Sequence, residues 1–250
     1  MSVVTLTTDF AGSGYYLAAL KGVVLRVFPE TQLVEVSQNI NPRDIGGAAF
    51  TIQKAFKYFP EKTIHIVHVH AADSAGRLLI AEFQQHIFLL FDNGIAPLIF
   101  EYNPVQYFEV NKANENGSLF FQTISTALES IKSDSFKNTP TTSFKKLQRL
   151  NPIGRSGNIN GHILYIDKFG NAITNIHWDM WQQNIKSDFE ISINGYKTSK
   201  LVRFYTDIEG NKEIGAFFNA ENLLEIALRD ASAEKLLGLR VNGVVMVMEY

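Results

Sequence analysis

The chain has 250 residues, 46% of them hydrophobic, and a formal net charge of −2, so it can enclose one large core or two modest ones. The near-neutral charge and the lack of a dense Lys or Arg run argue against a nucleic-acid partner. With no cysteine in the sequence, disulfides and thiolate metal sites are excluded.

Membrane association is not expected either. No stretch approaches the roughly 18 consecutive apolar residues that cross a bilayer. Residues 1–9 lack the basic region and the cleavage site of a signal peptide. We therefore predict a cytoplasmic protein without a membrane partner.

The first third of the chain alternates strand and helix patterns. Asp44 is placed to cap the second helix with its side-chain oxygen. Strands are predicted at residues 3–8, 32–36 and 63–70, and helices at 15–28 and 45–58. Crossovers of this length imply parallel strands with helices on the sheet faces. The pattern predicts an α/β N-terminal domain with a mostly parallel sheet.

The next segments extend this domain to about residue 150. Asp92-Asn93-Gly94 is a turn signal that hairpin geometry explains, because Asn and Gly tolerate positive φ. Further strands are predicted at residues 78–83, 86–91 and 105–110, and a helix at 120–132. The Ser-, Thr- and Lys-rich residues 133–151 indicate an exposed connection. The first domain is therefore assigned to residues 1–150.

Residues 151–250 have a different character. Asn194-Gly195 marks a hairpin. Short strands are predicted at residues 161–166, 172–176, 189–193, 200–204, 215–219 and 244–249. The pattern predicts a smaller, mainly antiparallel, barrel-like β domain. Neither glycine-rich phosphate-binding motif occurs, so Rossmann or P-loop nucleotide binding has no support.

The third predicted strand, residues 63–70, runs into a loop that contains His70, Asp73 and Arg77. Ligands of α/β sheets collect where the carboxyl ends of strands meet their loops. This junction is therefore the first candidate for chemistry.

Several motifs together resemble one enzyme family. They are Thr7-Thr8-Asp9-Phe10, Phe91-Asp92-Asn93-Gly94, and Asp167-Lys168-Phe169-Gly170-Asn171 followed by Ile173-Thr174-Asn175. In this order, and over nearly the whole chain, they resemble the S-adenosylmethionine hydroxide adenosyltransferases, which share a superfamily with fluorinating and chlorinating enzymes.

The resemblance implies a cofactor-free and metal-free reaction in which water displaces L-methionine from the 5′ carbon of S-adenosylmethionine, giving adenosine. It also implies a homotrimer that holds the substrate between domains of neighbouring subunits. Because a sulfonium is already a good leaving group, such a site has mainly to position one water and exclude the rest.

The resemblance assigns five substrate-binding residues. Asp9 matches the carboxylate that binds the ribose hydroxyls, and Phe169 and Asn171 match the adenine-binding segment. Asp167 could meet the amino group of the methionine moiety, and Asn219 is a further match. The alternatives are an ordinary strand-end residue that caps the following turn for Asp9, a β-turn with a core aromatic for Phe169 and an exposed strand-end charge for Asp167.

The expected catalytic group is altered. In the family, an Asp, an Arg seven residues later and a more distant His act together; here Arg77 is kept, His70 stands in place of the Asp, and residues 115–118 contain no His. A neutral His70 could orient or deprotonate water, with Asp73 holding its tautomer. Strand alternation places His68 on the face of His70 and His65 on the opposite face. No third ligand accompanies the two histidines, so no metal site is predicted.

Three hypotheses remain. The first is an active hydrolase, or a relative that uses another nucleophile, with His70, Asp73 and Arg77 as catalytic residues. The second is a regulatory or binding protein that keeps the adenosine pocket through Asp9 and Asn171 without turnover. The third is a homologue whose pocket has decayed. The retained ribose, adenine and arginine positions favour the first.

Overall fold

The computed structural model describes residues 2–10, 14–38, 40–71, 77–101, 103–110 and 119–250. The chain forms two compact units, Met1–Gln148 and Arg149–Tyr250. The division falls within the polar stretch 133–151. That stretch is mostly exposed, as expected, although Phe136 within it is buried and two of its residues form a strand.

Unit 1 is an α/β unit, as predicted. Its strands are β1 (Val3–Thr8), β2 (Gln32–Ser37), β3 (Ile64–His68), β4 (Leu78–Phe83), β5 (His86–Phe91), β6 (Gln106–Glu109) and β7 (Pro140–Thr141). Its helices are α1 (Tyr16–Val27), α2 (Ile45–Ala55), α3 (Ile95–Phe100) and α4 (Leu119–Lys132). The sheet order is β2-β1-β3-β5-β4-β6-β7. The strands β2, β1, β3 and β5 pair in parallel and the remaining pairs are antiparallel, so the sheet is mixed.

Helices cover both faces of this sheet because successive strand residues point to opposite sides. Ile64 and Ile66 of β3 pack in one core with α1 and α4. Val67 packs in the other core with α2 and α3. Asp44 caps α2 as predicted, since its Oδ1 accepts a hydrogen bond from the Gly47 amide at 2.7 Å.

The Asp92-Asn93-Gly94 turn does not join two hairpin strands. It leads from β5 directly into α3, with Gly94 at φ 97°. The hairpin between β4 and β5 is instead closed by Gln84 and Gln85, both at positive φ. The Asn-Gly pair correctly predicts a residue at positive φ. Here that residue, Gly94, precedes a helix instead of closing a hairpin. A Cβ at residue 94 would lie 2.4 Å from the side chain of Leu147.

Unit 2 is the predicted antiparallel, barrel-like β unit. Its strands are β8 (Ile153–Arg155), β9 (Asn158–Ile166), β10 (Ala172–His177), β11 (Phe189–Ile193), β12 (Tyr196–Thr198), β13 (Ile214–Phe218), β14 (Leu223–Leu228) and β15 (Val244–Glu249). Two short helices, α5 (Trp178–Asn184) and α6 (Ala233–Leu237), accompany them. The order is β12-β11-β15-β9-β10-β14-β13, with β8 paired to β9. Past β12, backbone bonds of Lys200 and Val202 to Ala216 of β13 bring the two ends of the sheet together.

Unit 2 differs from the prediction in several details, among them the unpredicted strand β8 and the helices α5 and α6. The strand predicted at 200–204 forms only an isolated bridge between Leu201 and Ala216. The strand β14 was not predicted, although all six of its residues are buried. The Asn194-Gly195 hairpin is confirmed, with φ of 47° and 83° at its two turn residues. Among the described helices, none is long and apolar enough to cross a membrane.

Candidate functional site

The carboxyl edge of the unit 1 sheet gathers most of the predicted catalytic and ribose-binding residues. The strands β1, β3 and β5 are parallel, so Asp9, His70 and Asp92 follow them at the same edge. The strand β4 runs in the opposite direction, so Arg77, just before it, lies there too. Such an edge is where α/β sheets hold their ligands.

Asp9 joins the ends of β1 and β3. Its Oδ2 accepts a hydrogen bond from the His70 amide at 3.0 Å, and its Oδ1 lies 3.8 Å from Nδ1 of His68. Burial alone would raise the pKa of Asp9, but the attraction of His68 and the bond from His70 outweigh it, so the pKa is lowered. The carboxylate is therefore ionised at neutral pH and can accept from a pair of hydroxyl groups.

His68 lies beside Asp9 in an aromatic enclosure. Its ring centroid is 4.6 Å from that of Phe10, 4.9 Å from Phe91 and 4.5 Å from Phe120. Among the described residues, its Nδ1 has no hydrogen-bond partner within bonding distance. A buried polar atom without a partner costs stability, so this edge keeps hydrogen-bonding capacity in an apolar setting.

His70 is fixed through its backbone. Its φ of 48° is unusual for a residue with a side chain and costs on the order of 1 kcal/mol. Its carbonyl accepts from Asn93 Nδ2 at 3.3 Å, and the same amide group reaches the carbonyl of Val69 at 2.7 Å. Because β3 ends at His68, the alternation that put His68 and His70 on one face does not extend to His70. Asp73 and residues 115–118 lie outside the described residues.

Arg77 is held by acidic partners. It forms a two-pronged pair with Glu109, with Nε to Oε1 at 3.0 Å and Nη2 to Oε2 at 2.8 Å. Its Nη1 donates to Asp92 Oδ2 at 2.7 Å, and Nη2 also donates to the carbonyl of Ser143 at 2.7 Å. The bond to Glu109 and the charge of Asp92 raise the pKa of Arg77. Four of its five N–H groups are thus used within unit 1.

The β9–β10 loop of unit 2 builds the segment predicted to bind adenine. Asp167 Oδ1 accepts from the amides of Phe169 and Asn171 at 2.9 and 2.8 Å, which folds the loop tightly. Gly170 sits at φ 87°, and a Cβ there would lie 2.1 Å from Ser232 Oγ. The loop leaves the Phe169 ring 68% exposed, so Phe169 is not a core aromatic.

Glu225 of β14 links two of the predicted binding residues. Its Oε1 accepts from Asn171 Nδ2, and its Oε2 accepts from Asn219 Nδ2, each at 3.1 Å. Burial raises the pKa of Glu225 and nearby Asp167 adds to this, while the bonds from the two asparagines act in the opposite direction. Glu225 was not among the site residues predicted from the sequence. Its signal was a single acidic residue within the apolar run 223–228.

These residues border a cavity of about 650 Å³ in unit 2, a size typical of small-molecule sites. Three of the predicted residues line it, namely Asp167, Phe169 and Asn171. Asn219 reaches this cluster through Glu225. The lining that the sequence did not reveal includes the aromatic residues Tyr205 and Phe217 and the carboxylates Glu225 and Asp230.

A metal centre is not built from the described side chains. Within the described ranges, no group of three His, Asp or Glu residues is placed to hold an ion. What the two clusters offer instead is hydrogen bonding. The unit 1 cluster supplies the ionised Asp9 carboxylate beside His68 and His70. The unit 2 cluster supplies the Asn171 amide and several carboxylates around the cavity.

Comparison with known proteins gives a consistent result. The solved structure of an uncharacterized conserved protein from Thermotoga maritima superposes with a TM-score of 0.83 at 18% identity, covering 100% of both chains. A conserved hypothetical protein from Thermus thermophilus superposes with a TM-score of 0.76 at 20% identity, covering 99% of this chain and 100% of the other. At such identities these likenesses show the fold.

Two curated relatives are similar over almost the whole length. The (R)-S-adenosyl-L-methionine hydrolase of Methanocaldococcus jannaschii is 25% identical over 96% of this chain and 93% of its own. The hydrolase of the same name from Thermus thermophilus is 22% identical over 96% of this chain and 97% of its own.

Family models match both units. The SAM hydroxide adenosyltransferase N-terminal domain matches residues 4–132, and the C-terminal domain of the same family matches residues 161–246. The resemblance that the sequence motifs indicated is confirmed: this chain belongs to the SAM hydroxide adenosyltransferase family.

Proposed function

We propose that this protein is an S-adenosylmethionine hydrolase that transfers the adenosyl group to water. The oxygen of water forms a bond to C5′, the C5′–S bond breaks, and its electron pair leaves with L-methionine as a neutral thioether. One proton of the attacking water is released, and adenosine is the second product. The main support is the cavity of unit 2, in which three residues of the expected substrate set converge.

The roles of the two units follow from the groups that each one offers. Residues 1–150 supply the ribose-binding and nucleophile-site residues, with ionised Asp9 accepting from the ribose hydroxyls. Residues 151–250 supply the adenine and methionine contacts: Asn171 and Phe169 for the base, Asp167 for the amino group, and Asn219 as a further contact. We further propose a cytoplasmic homotrimer that completes each site between neighbouring subunits.

His70 is the proposed water-positioning group, with Asp73 as its partner. Its neutral imidazole can accept the proton that the attacking water loses. The backbone bonds to Asp9 and Asn93 fix His70 at the strand edge, which limits the positions that its ring can take. Arg77 is the third proposed catalytic residue, and it enters through the charge network with Glu109 and Asp92.

One observation favours a second candidate, a protein that binds the nucleoside without turnover. The guanidinium of Arg77 is paired with two carboxylates, and His70 replaces the carboxylate expected at its position. A site altered in this way could keep its binding residues Asp9 and Asn171 and lose its chemistry.

Turnover separates the two candidates. Purified protein is incubated with S-adenosylmethionine in ¹⁸O-labelled water, and adenosine and methionine are followed by chromatography and mass spectrometry. Hydrolysis at C5′ places the label in adenosine. We expect His70→Ala to abolish product formation and His177→Asn, which keeps an α5 cap, to retain it.

The outcomes divide clearly. Tight calorimetric binding of S-adenosylmethionine without product selects the non-catalytic candidate. Absence of both binding and product refutes both candidates. Light scattering tests the assembly separately, and a monomer in solution would contradict the proposed trimer.

A further inference from the structure

The buried carboxylate of Glu225 needs an explanation that packing does not supply. It lies in β14 between Leu224 and Ile226, both fully buried, and is itself only 7% exposed. Burying a carboxylate is costly unless hydrogen bonds compensate. Both of its oxygens accept from side-chain amides, those of Asn171 and Asn219. An apolar residue would fill the position at lower cost, so the carboxylate is there for its effect on these amides.

A carboxylate can only accept, so it decides which way each asparagine faces. One hydrogen of the Asn171 Nδ2 group points to Glu225 Oε1 at 3.1 Å, and the second points to Asp167 Oδ2 at 3.4 Å. Both hydrogens are therefore directed at protein carboxylates. The Oδ1 atom of Asn171 is left as its polar atom for the cavity, and it can only accept.

Asn219 is fixed in the same way but has no free polar atom. Its Oδ1 accepts from the amides of Glu221 and Leu223 at 3.0 and 3.2 Å. Its Nδ2 donates to Glu225. Asn219 thus anchors the Glu225 carboxylate. Glu225 in turn fixes the orientation in which Asn171 faces the ligand.

We propose that Glu225 is a positioning residue that makes the unit 2 cavity select a ligand edge that donates hydrogen bonds, namely the 6-amino group of a purine rather than a 6-oxo group. This inference rests on the proposed function, since it takes the cavity to hold the base of the substrate. A 6-oxo purine would place its carbonyl oxygen against Asn171 Oδ1, which leaves both acceptors unpaired.

The remaining charges of the cavity agree with a donor-rich, uncharged or cationic ligand. Asp167 and Asp230 line it together with Glu225, and no Lys or Arg is among the described residues that line it. Three carboxylates repel phosphate groups. The cavity therefore suits a nucleoside or its sulfonium derivative rather than a nucleotide.

The decisive measurement is the ratio of inosine to adenosine dissociation constants, determined calorimetrically on the full chain. For the wild-type protein we expect adenosine to bind roughly 10- to 100-fold more tightly than inosine. N6,N6-dimethyladenosine, which keeps the ring but cannot donate, should bind as weakly as inosine. This comparison needs no variant, so it holds even if substitutions at residue 225 fail to fold.

Glu225→Gln tests the role of the carboxylate itself. A glutamine has an oxygen at only one of the two positions that accept from Asn171 and Asn219. Because the amides of Glu221 and Leu223 hold Asn219, the glutamine NH2 group should face Asn171, which favours an Asn171 turned with its amino group toward the cavity. The ratio should then fall toward one or invert. The matched control is Glu213→Gln, a carboxylate on the surface of unit 2 paired with Lys200, which should keep the wild-type ratio.

A purely structural Glu225 would weaken adenosine and inosine equally and leave the ratio unchanged. Equal binding of the two nucleosides by the wild-type protein would overturn this inference while leaving the proposed hydrolase function intact. Failure to bind adenosine or S-adenosylmethionine at all would refute the proposed function, and this inference with it.

Discussion

A buried histidine should make the stability of unit 1 sensitive to acid. His65 of β3 has no exposed surface. Its Nδ1 lies 2.7 Å from Thr5 Oγ1, and its Nε2 lies 3.1 Å from His86 Nδ1. The rings of Phe56 and Phe88 pack against it. Burial, assisted by the nearby His86, lowers the pKa of His65 from 6.5 to about 3.

The sign and size of the effect follow from linkage. The folded chain binds this proton less readily than the unfolded chain, so the contribution of His65 is complete above about pH 6.5 and is lost as the pH falls toward about 3. Each pH unit in this window costs about 1.4 kcal/mol, so roughly 2 kcal/mol is lost by about pH 5. Burial lowers the pKa of His86 as well, although the charge of Glu61 opposes this. His86 therefore also makes the folded state less stable as the pH falls.

The assay is urea unfolding of wild type and His65→Gln at about pH 7.5 and about pH 5. Glutamine keeps hydrogen-bonding atoms but does not titrate. Carboxylates elsewhere contribute equally to both proteins, so the difference between their pH dependences isolates residue 65. We expect the variant to lose about 2 kcal/mol less than wild type over this interval. Identical pH dependences would show that His65 is protonated in the folded state and would refute the reasoning.

Three further predictions concern the candidate site. Arg77→Lys removes the two-pronged pair with Glu109, so we expect the free energy of unfolding to fall by about 1–3 kcal/mol; a change within error in chemical denaturation would show that the pair is not stabilising. Gly170→Ala should lower both adenosine affinity and thermal stability, because residue 170 has a φ of 87° and a Cβ there would clash with the Ser232 side chain. The control is Gly195→Ala, at a φ of 83° but with open space around it. It should cost only about 1 kcal/mol and leave the affinity unchanged. Asp9→Asn should raise the dissociation constant for S-adenosylmethionine roughly tenfold or more, since it replaces one of the two carboxylate oxygens with an NH2 donor and removes the charge. Unchanged calorimetric affinity would remove Asp9 from the proposed ribose site.

The parts of the fold that could be predicted are those with a local signature. The parallel strands of unit 1 are β-branched runs separated by helical patterns, and Asp44 precedes its helix as a cap does. The strand β14 has no such signature, because Leu, Glu and Ala in the run 223–228 suit a helix as well as a strand. Both edges of β14 are paired, with β10 and with β13, the first of them distant in the chain, as in the pairing of Ala172 with Ile226. Pairing with these two strands, and not the local sequence, therefore makes residues 223–228 a strand.

The candidate site likewise contains residues that the sequence could place and contacts that it could not predict. Asp9 could be placed from the sequence, because the end of a parallel strand is a defined position. The partners of Arg77 could not be, because Glu109 is brought to it only by the order β5-β4-β6, with two antiparallel pairings that the local pattern does not encode. The positive φ of His70 also depends on a distant group, the Asn93 side chain that bonds its carbonyl.

The state of Arg77 bears on whether the altered site can still turn over. Its charge is balanced by Glu109 and Asp92, so it has little net field to offer a developing negative charge. Hydrolysis of a sulfonium makes no such demand, since the leaving group becomes neutral as the C5′–S bond breaks. The requirement that remains is an aligned water with an acceptor for its proton. In the proposed mechanism His70 meets that requirement, and a supporting role for Arg77 in holding the strand edge is therefore compatible with catalysis.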